Sequence, residues 1–124
     1  MAEEFNKIFL NMLNFLYEKT GNTKLRKFYL LINNTLEEEE NKNKYIENFI
    51  IKVLQYKDEV FKKNDTFFLN LEIESSLFTN KEVNNFKQLY KSLNTKDKNI
   101  IIDNFIKMTI LSENYFLNYL STSS

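Results

Sequence analysis

A chain of 124 residues and 15.0 kDa can fold as one domain with a real core, needing neither disulfides nor metal to hold it together. Its 17 basic residues balance 17 acidic ones, so it lacks the positive excess on which general binding to nucleic acid or a membrane surface depends. Cysteine and histidine are both absent, which excludes disulfides, thiolate nucleophiles, the usual zinc sites and the side chain best suited to proton transfer near neutrality.

Apolar residues make up 43% of the chain and aromatics 15%, which is ample core material and argues against disorder. Proline is absent and glycine occurs once, at Gly21. Long helices tolerate that scarcity, whereas sheet proteins need more turn residues, so the fold class expected is all-α. The heavy use of Asn, Lys, Ile, Phe and Tyr matches A/T-rich codons. It reads as a genome-wide base bias, as in some large DNA viruses, protists and low-GC bacteria. No run approaches the roughly 20 apolar residues of a membrane span. The acidic start MAEEFNK lacks the basic and apolar regions of a signal peptide. The expected place of work is intracellular, in the cytoplasm of a host cell or within a virion.

In chain order, the first helix is expected over 3–19, striped by Phe5, Ile8, Phe9, Met12, Leu13 and Leu16, with Gly21 closing it in the left-handed conformation. Asn22 or Thr23 caps a second helix striped by Leu25, Phe28, Tyr29, Ile32 and Leu36. Its end has two readings. Thr35 and Glu38 form a capping box for a new helix, or the second helix continues to Glu40 and breaks at Asn41, Lys42, Asn43 and Lys44; the latter is preferred, because those four polar residues carry no apolar period. Residues 45–69 hold the most regular stripe of the chain: Ile46, Phe49, Ile50, Val53, Leu54, Lys57, Val60 and Phe61. They read as a central helix with an exit corner at Asp65, followed by a short helix over about 65–73. Thr79 and Glu82 box the next helix, striped by Val83, Phe86, Leu89, Tyr90 and Leu93. Asn94 or Thr95 caps the last, over about 96–119, which is apolar around much of its girth. The whole is a single bundle of about five or six helices over 1–120, with 121–124 a disordered tail.

Without His or Cys, acid–base chemistry is left to carboxylates such as Asp58, Glu59, Asp65, Glu72 and Glu74, whose ordinary work is capping and solvation. No catalytic residue is assigned. Glu37, Glu38, Glu39 and Glu40 point in different directions if helical and do not converge on an ion, so no metal site is assigned either. A lone glycine builds no phosphate cradle, and no cofactor is implied. Nucleic acid is an unlikely partner on overall charge, and an interface for it would rest on the local run Lys24, Arg26 and Lys27, with Lys19, Lys62 and Lys63 nearby. Protein binding is the larger class. Phe67, Phe68, Leu69, Leu77 and Phe78 lie close together in the least regular segment; buried corner packing is the ordinary reading of such a cluster, and partial exposure would make it the docking patch for a protein partner.

Phe5 to Phe9 (FNKIF), Val53 to Lys57 (VLQYK) and above all Lys63 to Leu69 (KNDTFFL) carry a resemblance, joined downstream by Leu89 to Leu93 (LYKSL) and Lys96 to Lys98 (KDK). Through them the chain resembles a group of small all-helical proteins encoded by nucleocytoplasmic large (giant) DNA viruses. The likeness spreads over nearly the whole chain on loose motifs. Where similar proteins tend to have prolines before the central helix, this chain has residues 41–44; where they tend to have Trp in the penultimate helix, it has Tyr90. The resemblance implies a virus-encoded helical protein and brings no catalytic residue with it. The function expected is that of a non-enzymatic protein-interaction module, a viral accessory or virion-associated protein that binds a host or viral protein. The competing classes are a nucleic-acid-associated protein and a self-assembling structural subunit, the latter recognisable by a broad apolar face on the last helix.

Overall fold

The computed structural model describes residues 1–64, 66–67 and 88–122. The first helix, α1 (Ala2–Thr20), turns its stripe inward: Phe5, Phe9, Met12, Leu13 and Leu16 are all buried. Glu3 and Glu4 occupy its first turn and Lys19 its last, the arrangement the helix dipole favours. Gly21 stops it at φ 65° and ψ 16°, returning its N–H to the Tyr17 carbonyl. Asn22, rather than Thr23, caps α2 (Thr23–Thr35), its side-chain oxygen accepting from the Lys24 N–H at 2.9 Å. The two helices make a tight hairpin. Helix α2 buries Ile32 and half-buries Leu25, Phe28 and Tyr29 against the core.

Helix α2 ends at Thr35, not at Glu40. The physical reason is the acidic run: glutamates in a last turn oppose the helix dipole, and they are better placed ahead of a new helical segment. Glu39–Asn41 form a short 3₁₀ turn, and α3 (Lys44–Lys52) starts three residues later. Asn6 of α1 donates to the Lys42 carbonyl at 2.9 Å and holds this connection against the bundle.

The expected central helix is broken in two. Helix α3 gives way to a 3₁₀ turn, Leu54–Tyr56, and then to α4, Lys57–Phe61. Ile46, Val53 and Val60, spaced by seven, are the buried line, while Phe61 is exposed. A 3₁₀ segment winds three residues per turn, which carries Phe61 further round than a continuous α-helix would. Lys63 then takes a positive φ of 55°, and the Asn64 N–H bonds back to the Glu59 carbonyl, closing α4 with a left-handed cap. Asp65 lies outside the described residues, as do the expected short helix beyond Phe67 and the Thr79–Glu82 capping box. Of the penultimate helix, residues 88–92 are helical, and Tyr90 is fully buried.

The last helix, α5 (Thr95–Thr122), is the longest described. Asn94 caps it, accepting from the Asp97 N–H at 2.8 Å. It extends beyond the expected end, through Ser121 and Thr122, whose hydroxyls donate to the Asn118 carbonyl. Helix α5 lies antiparallel to α1: Lys19 approaches Asp97 at one end, and Asn118 approaches Met1 at the other. Ile101, Ile102, Phe105, Met108, Thr109 and Ser112 are buried between α1, α3 and α4. The two hydroxyls need no external partner, since Thr109 donates to the Phe105 carbonyl and Ser112 to that of Thr109. Aromatic rings cross the core in series, Tyr45 on Phe9, Phe9 on Phe5, Phe5 on Phe49 and Phe49 on Phe105, with centroids 5.2 to 6.5 Å apart. Such pairs add about 0.5–1.5 kcal/mol each beyond the area they bury. The result is an all-α compact bundle, with no strand among the described residues. The core gathers on α1 and α5, with α3 and α4 as its third wall, not on residues 45–69 alone.

Candidate functional site

The aromatic knot expected to dock a partner is only partly described. Phe67 is half-buried against the core, and its ring lies 5.7 Å from that of Tyr56. Phe68, Leu69, Leu77 and Phe78 lie outside the described residues. At Phe67 the ring is packed on one side and partly exposed on the other.

The basic run is on the surface. Lys24, Arg26 and Lys27 are all exposed on α2, with the Arg26 guanidinium 5.3 Å from the Tyr29 ring. Of the cations expected near them, Lys62 is exposed just past α4 and the other two face acidic residues. Lys19 turns to Asp97 at 3.9 Å and lies over the Phe15 ring, and Lys63 pairs with Asp103 at 3.4 Å. Of the carboxylate candidates, two are described. Asp58 is exposed on α4, Glu59 accepts from the Asn64 amide at 2.7 Å, and Asp65, Glu72 and Glu74 lie outside the described residues. Among the described residues no three acids are grouped so as to hold a metal ion.

Two surfaces stand out: the far end of α5, whose apolar girth is visible in the sequence, and the outer side of α2 beside the basic run. On α5, Ile101, Phe105, Met108 and Ser112 form the core-facing line, and Phe116 and Tyr119 continue it at the same helical spacing. The burial does not continue. After Ser112 no described side chain of α5 is buried, and Phe116, Leu117, Tyr119 and Leu120 are 38%, 53%, 62% and 49% exposed. The segment is held in place from its near end. The Tyr115 hydroxyl donates to Glu47 of α3 at 2.8 Å, and Glu113 pairs with Lys57 of α4 at 3.5 Å. Burial, reinforced by the Glu47 carboxylate, pushes the Tyr115 phenol above its ordinary value, so it keeps its donor proton well past neutrality. The second surface is the outer side of α2, where Leu30 and Leu31 are 44% and 62% exposed beside the basic residues.

A signal for both was present in the charge pattern. No charged residue follows Glu113, and no acidic residue occurs between Glu18 and Glu37. Stripe-counting assigns apolar residues to a core, and it cannot tell the length of helix that a core covers from the length it leaves bare.

Against this geometry, comparison with protein-family models, curated proteins and solved structures returns no match. No helix among the described residues is long and apolar enough to cross a membrane.

Proposed function

We propose that this protein is a non-enzymatic interaction module, a viral accessory or virion-associated protein in keeping with the resemblance above, that grips a protein partner with the C-terminal third of α5. The observation that carries the reading is the core-facing line of α5 running on through Phe116 and Tyr119 after the core has ended. Single exposed apolar residues are ordinary on any surface, but four large ones within five positions on a rigid helix form a patch of the kind that marks contact sites. Tyrosine and phenylalanine are the residues that anchor such contacts, because they bury much area for little lost rotamer freedom. The segment also carries no charge that a partner would have to desolvate. Its fitting partner is a protein presenting an uncharged apolar groove or helix face. The same exposed end of the last helix is also what a self-assembling subunit would present, and recovery of the tagged chain alone, at a mass above one chain, would favour that reading.

The nucleic-acid alternative has less behind it. Three exposed cations on α2 remain once Lys19 and Lys63 are paired, and the Phe and Tyr side chains that would stack on bases are largely engaged in the core. The deciding experiment is affinity purification of the tagged chain, with and without nuclease, beside the double variant Leu117→Glu/Tyr119→Glu. Both positions are more than half exposed, so the variant keeps the fold. A protein partner that survives nuclease and is lost with the variant supports the reading. Partners that vanish with nuclease, or that the variant retains, overturn it.

A further inference from the structure

Three features carry the inference, and they follow one another along α2 and its exit. The first five residues of α2 hold Lys24, Arg26 and Lys27, all exposed, and Lys24 and Lys27 share a helical face with Leu31 by their spacing of three and four. The middle presents Leu30 and Leu31, and just past the C-terminal end come Glu37 and Glu38, both exposed. The sequence of characters is basic, apolar, acidic. Helix α2 itself holds three basic residues and no acidic one. Among the described residues, Lys24, Lys27, Glu37 and Glu38 take part in no ion pair, while Glu39 of the same acidic run is answered by Lys42.

We infer that the outer face of α2 pairs antiparallel with the same face of a second copy of this chain. A two-fold axis at Leu31 lays the leucines of the two copies against each other. It also sets Lys24 of each copy opposite Glu38 of the other, seven residues on either side of the axis. An isologous contact must be self-complementary, and a surface that is basic at one end and acidic at the other meets that condition only when reversed upon itself. Other occupants match one pole and clash with the other. A nucleic acid or an anionic lipid surface that follows α2 from Lys24 and Lys27 along its length meets the run Glu37, Glu38, Glu39 and Glu40 past the far end. An acidic helix lacking a basic end leaves that same run unanswered.

The size of the face sets the strength of the pairing. Thirteen helical residues span about 20 Å, and one helix against another is a small interface, below the roughly 1,200 Å² of total buried area typical of stable complexes. The dimer is therefore transient, with a dissociation constant in the micromolar range or weaker, and salt loosens it. It goes beyond the partner-binding reading of α5 and does not rest on it, since the two faces share no residue.

The test is sedimentation equilibrium of the full chain from micromolar to millimolar concentration. The expected result is a monomer–dimer equilibrium that shifts toward monomer with added salt. Lys24→Glu should weaken it roughly tenfold or more, since it turns two exposed ion pairs into two repulsions. Combining Lys24→Glu with Glu38→Lys should restore it. A second measurement uses the absence of native cysteine. Helices packed 8–10 Å apart bring residues on the two-fold axis to about 5 Å between Cα atoms, within disulfide range. Leu31→Cys should therefore cross-link as a symmetric dimer under mild oxidation, while a cysteine at exposed Lys107 on α5 should not. A chain that stays monomeric at millimolar concentration overturns the inference. So does a dimer indifferent to Lys24→Glu, or one whose Leu31→Cys form does not cross-link.

Discussion

Asn6 offers the sharpest test of how the bundle is tied together. It is a polar residue on the buried side of α1, 7% exposed, whose Nδ2 donates to the Lys42 carbonyl 36 positions along the chain. Its Oδ1 is buried without a hydrogen-bond partner among the described residues. The bond fixes the connection that follows α2, where Lys42 also pairs with Glu39 at 2.8 Å and reaches Glu3 at 3.7 Å. Asn6→Ala removes one side-chain hydrogen bond, a loss of about 1 kcal/mol, softened because the partnerless oxygen leaves with it. Asn6→Asp changes almost no volume but replaces the donor with a carboxylate facing a carbonyl oxygen in a buried position. An uncompensated buried charge costs about 3–5 kcal/mol, a large part of the roughly 5–15 kcal/mol that holds a domain of this size. At about 4 °C per kcal/mol the aspartate variant should melt more than about 12 °C below the parent at pH 7, and the alanine variant only about 4 °C below.

The sign of the pH response separates this account from a simple packing defect. Burial and the facing carbonyl favour the neutral acid in the folded state, so the introduced carboxyl of the Asn6→Asp variant has a folded pKa above its unfolded value. The penalty is then fully present above the folded pKa and disappears as pH falls below the unfolded one, where the protonated carboxyl can donate to the Lys42 carbonyl as the amide did. The assay is urea unfolding followed by helix circular dichroism at pH 7 and at pH 4, read as the difference between variant and parent at each pH. The difference should shrink on acidification. A difference that stays constant, or an aspartate variant no worse than alanine at pH 7, would refute the role assigned to Asn6.

Other substitutions test single links. Leu16→Ala, at a fully buried position of α1, should cost about 2–5 kcal/mol in the same urea assay. Gly21→Ala should lose about 1–2 kcal/mol: a side chain there meets no atom within 4 Å, but the backbone sits at φ 65°, so the loss is purely conformational. Asn94→Ala should cost about 1 kcal/mol by uncapping α5, with Asn94→Asp or Asn94→Ser largely restoring it, as thermal melts would report. Burial raises the Tyr45 phenol, partly offset by the Thr35 hydroxyl, and raises Tyr115, where Glu47 adds to the effect. Both folded values lie above the unfolded one, so the stability they contribute is complete below about pH 10 and is lost as pH rises through the folded values. Tyr45→Phe should flatten that alkaline loss in melts paired with phenolate absorbance; an unchanged slope would remove Tyr45 from the account.

Much of the fold was legible because it depends on local pattern. The stripes of α1 and α2 and the stop at Gly21 are short-range chemistry and take the places their spacing implies, while the pattern narrows each cap to two adjacent residues and the asparagine of each pair, Asn22 and Asn94, fills it. Val53 shows where local pattern runs out. The stripe through 46–61 is the most regular in the chain, yet its backbone tightens into a 3₁₀ turn after Val53, and only the line Ile46, Val53 and Val60 is buried. Periodicity reports which residues favour burial together, and the winding of the helix is then adjusted by what it packs against. The end of α2 departs from its periodicity for a related reason. The polar residues 41–44 carry no apolar period, but the repulsion between four glutamates and a helix C-terminus ends α2 earlier, at Thr35.

The surfaces were less legible because composition averages over them. A net charge of zero describes the whole chain and none of its parts. Residues 19–36 are charged only positively, 37–40 only negatively, and nothing after 113 is charged at all. Folding then assigns each stretch a separate place: the basic and acidic stretches at opposite ends of the exposed side of α2, and the uncharged stretch on the far end of α5. The overall balance that argues against general electrostatic binding is thus compatible with two directed contacts. The proposed partner contact is apolar, and the inferred self-contact is bipolar and complementary to its own reverse. Because the two faces lie on different helices, a variant that removes one should leave the other intact, so the two proposed associations should be lost separately.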